Sequence, residues 1–382
     1  MNKIFITPLT SVLLFFSIQQ NYCQEIEILD TTAIELQSGV KETTSNTQHK
    51  KINGVNYLFR FNDYQSSNNP LQLEIINLEE QKIEKVIQFP LYGNNAFEEV
   101  VNFYVHNFDS IFFHNEAFPL TFYLTDTSKN LVKKWESTDM TLGAGWHSNA
   151  SPFLIDNKLY FYSISTQSFY PDDLAFFNVN HLSYLKLENG KISEIKNLKY
   201  PNEILAAHQN NKWYPWSQNP YFHHYGSAIY VGFNMSKKLI KIENKQEKNI
   251  ELDIGSRKLA EAISMDDNDF VSNQLYLIES PQLGEIVYDP YRNKLIRLYK
   301  KAILLEANED RSNAYYRSDF TLLFFEPDGE LSGTISLPSN KFNPSIIIPT
   351  KRGLLINTDN PFNQNNNEDF LEFALISLTD IE

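Results

Sequence analysis

Residues 182–198 read LSYLKLENGKISEIKNL. Apolar and polar residues alternate on both sides of Glu188-Asn189-Gly190, the two-residue period of half-buried strands. Asn and Gly both tolerate the positive φ that a tight turn demands, so the stretch predicts a β-hairpin. What decides the fold is that this hairpin has relatives. They are LQLEIINLEEQKIEKVIQF from Leu71, LTFYLTDTSKNLVKKWE from Leu120, KLIKIENKQEKNIELDI from Lys238 and TLLFFEPDGELSGTISL from Thr321. Each is an apolar strand, a polar turn, then a strand mixing charged and apolar residues.

A second kind of hairpin precedes these. It reads VNFYVHNFDSIFFHN from Val101, SPFLIDNKLYFYS from Ser151, NPYFHHYGSAIYVGF from Asn219, GEIVYDPYRNKLIRLYK from Gly284 and NPSIIIPTKRGLLIN from Asn343. INGVNYLFRFN from Ile52 carries the corresponding strand of the first unit. Two hairpins make a four-stranded antiparallel unit, and its repetition is the signature of a β-propeller. The units fall near 52–90, 97–138, 151–199, 219–255 and 283–338, with a sixth from Asn343. The sixth has FLEFALISL from Phe370 as its third strand and then the chain stops. EIEILDTTAIEL from Glu25 can supply the fourth and so remove an open edge. The expectation is an all-β, six-bladed propeller, its last blade closed by the N-terminal strand. Two β-sandwiches are the alternative, but no Pro-, Gly- or Ser-rich linker divides the chain. Helix is expected to be scarce, with GSRKLAEAISMDD (255–267) forming a turn or two.

The 382-residue chain carries 28 Phe and 21 Tyr, which favour strands, and a net charge of −14. That charge argues against nucleic acid, whose phosphates need clustered Lys and Arg. The N-terminus, MNKIFITPLTSVLLFFSIQQNYCQ, places Lys3 before a short apolar run and reads as an export signal over 1–23. Residues 24–382 are then one domain. Cys23, the only cysteine, is either removed with the signal or carries a lipid anchor; Gln20 and Tyr22 match a lipobox poorly. A mature chain without cysteine has no disulfide and no thiolate metal site. The expected location is the periplasm or outer-membrane surface of a Gram-negative bacterium, with membrane contact only through Cys23, as a monomer.

The order YDPYRNKLIRLYK, FFEPDGELSGTISLP and PTKRGLLIN over Tyr288 to Asn357, behind an export signal, resembles exported six-bladed propellers of Bacteroidota. It is similar to the envelope family known as domain-of-unknown-function family 4221. The resemblance implies the fold and an envelope location, and it carries no established activity or catalytic residue. Family members are often lipoproteins, from which the poor lipobox departs.

In a propeller the one-to-two and three-to-four turns share one face, and the two-to-three loops and blade connections share the other. Here the first set is short and the second holds the long insertions, 138–150, 164–181, 200–218 and 301–318. Long loops on a rigid scaffold are where binding usually lives. That face carries Trp146 and His147, then His208, Trp213 and Trp216, and Tyr315, Tyr316 and Arg317. The expected ligand-binding residues are Trp146, His147, Trp213, Trp216, Tyr316 and Arg317. Flat aromatic surface with a forked Arg donor suits a neutral glycan, a peptide or an envelope protein. The ordinary alternative is that these aromatics pack the loops onto the ring. His223-His224 lies at the opposite face, and adjacent strand residues point apart, so it is not read as a metal pair. DDNDF (266–270) offers calcium-like oxygens without EF-hand spacing and reads as a solvated turn. No cofactor or metal is expected. No nucleophile elbow, phosphate loop or HExxH occurs, which favours binding over the alternative, a propeller hydrolase or lyase acting on an exported glycan or peptide.

Overall fold

The computed structural model describes residues 26–36, 46–62, 71–90, 93, 96–97, 100–115, 119–145, 150–165, 181–194, 200–215, 219–267, 269–306, 311–367 and 369–379. The hairpin forms over residues 182–194 as its sequence dictates. Leu182–Lys186 pairs antiparallel with Ile192–Glu194. Gly190 turns the chain at φ 70°, and a Cβ there would come within 2.8 Å of the Trp135 ring in the neighbouring blade. Glycine is therefore required twice, for conformation and for space.

Six antiparallel sheets repeat this arrangement. Blade I consists of Asn46–Ile52, Val55–Asn62, Leu71–Asn77 and Lys82–Phe89. Blade II consists of Val100–Asn107, Ser110–Asn115, Thr121–Thr125 and Leu131–Glu136. Blade III is Phe153–Ile155, Lys158–Ser165 and the hairpin above, with Leu142–Ala144 added beside its second strand. Blade IV runs through Tyr221–Tyr225, Ala228–Gly232, Lys238–Glu243 and Gln246–Glu251. Blade V runs through Gln282–Asp289, Lys294–Lys300, Phe320–Phe325 and Leu331–Leu337. Blade VI has Ile347–Pro349, Leu354–Asn357 and Phe370–Ile376, and its outer strand is the N-terminal Ile28–Glu35. The fold is thus an all-β six-bladed propeller closed by its own N-terminus.

Strand alternation builds the cores between blades. In blade V, Leu322 and Phe324 face blade VI, packing with Leu354, Ile356 and Ile376. Leu323 and Phe325 face blade IV, packing with Tyr230, Leu239 and Ile250. Phe59, Phe61, Leu73 and Ile75 of blade I pack on Phe103, Val105 and Phe113 of blade II. Outer strands bury one or two residues, such as Trp135 in Leu131–Glu136 and Ile250 in Gln246–Glu251. The charged character of the second strand in each repeated hairpin follows from that exposure.

Two expectations change in detail. Blade I begins at Asn46 rather than Ile52, because its inner strand is the polar NTQHKKI. Residues 255–262 form no helix. Among the described residues the longer helices are α1 (Asn202–Gln209) and α2 (Phe270–Glu279), with short helical turns at Met265–Asp267, where one was expected, and at Arg311–Ala314 and Tyr315–Arg317. Asp269 caps α2, its Oδ1 accepting from the backbone N–H groups of Val271 and Ser272. The last acid of DDNDF is therefore a helix cap.

Candidate functional site

The inner strand of each blade runs from the long-loop face toward the short-turn face and passes the propeller axis. At the long-loop end of blades IV and V, five side chains converge. Tyr221 opens the inner strand of blade IV. Glu285 follows Gly284 at a bulge in the inner strand of blade V, where the register shifts between Leu283 and Ile286. Arg297 projects from the second strand of blade V, opposite Ile286. Tyr315 and Tyr316 come from a helical turn (Tyr315–Arg317) in the long loop between the second and third strands of blade V.

Arg297 is 1% exposed, while Tyr221, Glu285, Tyr315 and Tyr316 keep part of their surface. The guanidinium donates through Nη2 to the Phe233 carbonyl of blade IV at 3.2 Å and lies 5.4 Å from the centre of the Tyr221 ring. Its other end occupies space that only glycine leaves at position 232, where a Cβ would stand 2.3 Å from Nη1. Nε and Nη1 of Arg297 and Oε2 of Glu285 are buried without hydrogen-bond partners. Buried polar atoms normally find partners, so this arrangement is costly unless something polar meets it.

Burial shifts the titration of the whole group. The Glu285 carboxyl is pushed up by burial, offset in part by its backbone N–H and by the Arg297 charge. Burial pulls the Arg297 guanidinium down to about 10. Tyr315 and Tyr316 are pushed up by burial and then by the Glu285 charge. Perturbed titratable groups converging at one end of a scaffold mark a site candidate. A carboxyl inclined to keep its proton and three phenols can hydrogen-bond a neutral polar ligand against flat apolar rings, with the buried guanidinium behind them.

The residues singled out in the sequence are placed as follows. Tyr316 belongs to this cluster. Arg317 does not offer its fork to a ligand: Nη2 donates to the Leu304 carbonyl at 2.6 Å, and Nη1 lies 3.4 Å from Glu306. Trp213 is not an exposed platform. Lys212–Trp213 pairs with Ile263–Ser264 from the blade IV–V connection, and its ring is only 4% exposed. Trp146, His147, Trp216 and Cys23 lie outside the described residues. His223 and His224 diverge as strand alternation requires. His223 Nε2 accepts from the Tyr288 N–H at 3.1 Å, whereas His224 stacks on Phe153. Among the described residues no group of three or more His, Cys, Asp or Glu could hold a metal ion.

Sequence reasoning missed Glu285 and Arg297. The available signal was a charge inside an apolar alternation: GEIVYDP after a glycine, and KLIRLYK, where every residue after Lys294 is buried.

No family model and no curated protein matches the chain. Among solved structures it is similar to a DUF4221 family member from Bacteroides vulgatus, at a TM-score of 0.77 and 18% identity, covering 92% of this chain and 98% of that one. A protein of unknown function from Bacteroides caccae (TM-score 0.40, 8% identity, 77% and 81% covered) and the hydrazine synthase of Kuenenia stuttgartiensis (0.43, 10%, 85% and 77%) are far more remote. The first likeness extends over nearly the whole of both chains. It places this protein in the class of six-bladed β-propellers with the architecture of that DUF4221 structure.

Proposed function

We propose that this is an exported binding protein of the cell envelope, which takes a neutral glycan or peptide at the long-loop face between blades IV and V. The observation that carries the reading is the cluster of partly exposed Tyr221, Glu285, Tyr315 and Tyr316 around the buried Arg297 guanidinium. The rings offer flat apolar area, and the polar atoms direct hydrogen bonds. Glycoside hydrolysis with two carboxylates needs a second acid about 5–10 Å away. Among the described groups, the charge acting on Glu285 is Arg297. That favours binding over hydrolysis.

The test is a glycan and peptide array read with the mature protein, Glu285→Gln and Tyr316→Ala, each checked for an unchanged thermal transition. A hit from the parent should weaken about tenfold or more in Tyr316→Ala, the loss of one good aromatic contact. A ligand bound equally by all three proteins sinks the site. Turnover of a bound glycan by the parent and not by Glu285→Gln would replace binding with catalysis.

Export rests on Lys3, the apolar run after it and the Cys23-Gln24 junction. Protein recovered from its native host should begin near Gln24 by mass spectrometry, or at a diacylated Cys23. An intact Met1 overturns the envelope location.

A further inference from the structure

At the short-turn end of the axis, side chains from the inner strands of four blades meet. Blade I contributes Lys50, blade II Tyr104 and His106, blade III Phe153, and blade IV His224. Lys50 Nζ donates to the Tyr104 hydroxyl at 3.1 Å. The Tyr104 ring lies 6.1 Å from His224 and 6.4 Å from His106. His224 stacks on Phe153 with centroids 4.8 Å apart and planes 13° from parallel.

Three features of this cluster are unusual in a chain of net charge −14. Among the described residues, Lys50 forms no ion pair and its ammonium has the Tyr104 hydroxyl as its one hydrogen-bond partner. His106 is exposed and His224 partly so, and among the described residues neither ring makes a hydrogen bond. The Lys50 charge lowers the proton affinity of both imidazoles, after burial for His106 and after burial and His223 for His224. Glu79 acts on the neighbouring His49, whose ring meets Asn56 at 3.2 Å. Among the described residues the patch is thus a cation without an ion pair, with imidazole nitrogens that make no hydrogen bond around it.

We propose that Lys50, His106 and His224, with the Tyr104 hydroxyl, form an oxyanion site at the short-turn end of the axis, on the face opposite the Glu285 cluster. Lys50 supplies the charge. Each imidazole can turn an N–H toward the anion, because no protein acceptor competes for it. The Tyr104 hydroxyl holds the ammonium in place. The Phe153–His224 stack fixes the plane of one imidazole. A carboxylate and a phosphate share this chemistry, and the donor set favours either over a neutral ligand.

The test follows the histidine imidazole resonances of the mature protein during titration with inorganic phosphate and, separately, with acetate. Saturable shifts at His106 and His224 with one of the two are expected. Phosphate alone points to a phosphorylated ligand, and acetate alone points to a carboxylate ligand. Lys50→Gln should weaken the apparent Kd at least tenfold. Tyr104→Phe, which removes only the hydroxyl and keeps the buried ring, should weaken it less and guards against loss of folding in the first variant. Glu285→Gln should leave the titration unchanged, which separates this site from the one on the long-loop face. No saturable shift with either anion, or equal shifts in Lys50→Gln, overturns the proposal.

Discussion

A chain that begins at residue 37 should unfold at a temperature lower by on the order of 10 °C than one that begins at residue 24, or fail to accumulate in folded form. The deleted segment is the outer strand of blade VI. Ile28–Glu35 pairs with Phe370–Ile376 through seven registered positions. Its flanks are tied as well, Leu36 N–H donating to the Asp369 carbonyl at 2.7 Å and Ser377 N–H to the Glu27 carbonyl at 2.9 Å. Most of the strand faces solvent. Ile34 and Leu36 are the exceptions, at 0% and 8% exposure, in a core with Leu58 and Ile76 of blade I and Ile348, Leu371 and Phe373 of blade VI. Losing those two side chains removes about 3–6 kcal/mol of apolar burial. The deletion also leaves Phe370–Ile376 as an open edge, which invites aggregation. Ile34→Ala alone should cost about 2–5 kcal/mol in urea unfolding, because the site is sealed between two blades. A deletion variant as stable and as monomeric as the parent would show that the ring does not depend on its closing strand.

This closure was legible in the sequence because the strand needed by the last unit had an obvious donor at the other terminus. Repeating hairpins were legible for a related reason. Central strands such as Phe320–Phe325 pack on both faces and so are apolar throughout, and outer strands alternate with charge. The inner strand of blade I was the least legible. Its polar NTQHKKI gave no apolar alternation to read as a strand, and Lys50 went unnoticed within it. The Trp213 expectation failed for a non-local reason. An aromatic in a long loop reads as exposed, but Lys212–Trp213 is covered by pairing with a segment 50 residues later. The Glu285 cluster needed two blades and a loop to be brought together, which spacing along the chain does not encode. Tyr315 and Tyr316 were found because they sit in the loop, while Tyr221, Glu285 and Arg297 were hidden in strands.

The same closing interface holds an ion pair whose removal should have the second largest effect. Arg60 and Glu74 stand directly opposite on adjacent strands of blade I, Nη1 to Oε2 at 3.4 Å, each side chain 1% exposed. They lie on the side of the sheet that carries Leu58 and Ile76, which pack against blade VI. Burial pulls the Arg60 guanidinium down and pushes the Glu74 carboxyl up, and each charge opposes the shift of the other. Asp359 of blade VI also acts on Arg60, so the guanidinium is a charge shared across the seam between the first and last blades. Taking Arg60 away leaves the Glu74 carboxyl without the charge that acts on it in an apolar layer, whereas Arg60 keeps the Asp359 charge when Glu74 is removed. Arg60→Met should therefore cost about 3–5 kcal/mol, and Glu74→Leu less. The double variant should recover most of that loss, because two apolar side chains of similar length can pack where two charges had to be desolvated. Asp359 survives the double change, since its Oδ2 also accepts from Asn357 Nδ2 at 3.0 Å. A double-mutant cycle in urea measures the coupling directly. Losses that simply add would mean that neither residue relies on the other. Losses that cancel would mean that the pair holds blade I against blade VI in one arrangement and adds little to the stability of the ring.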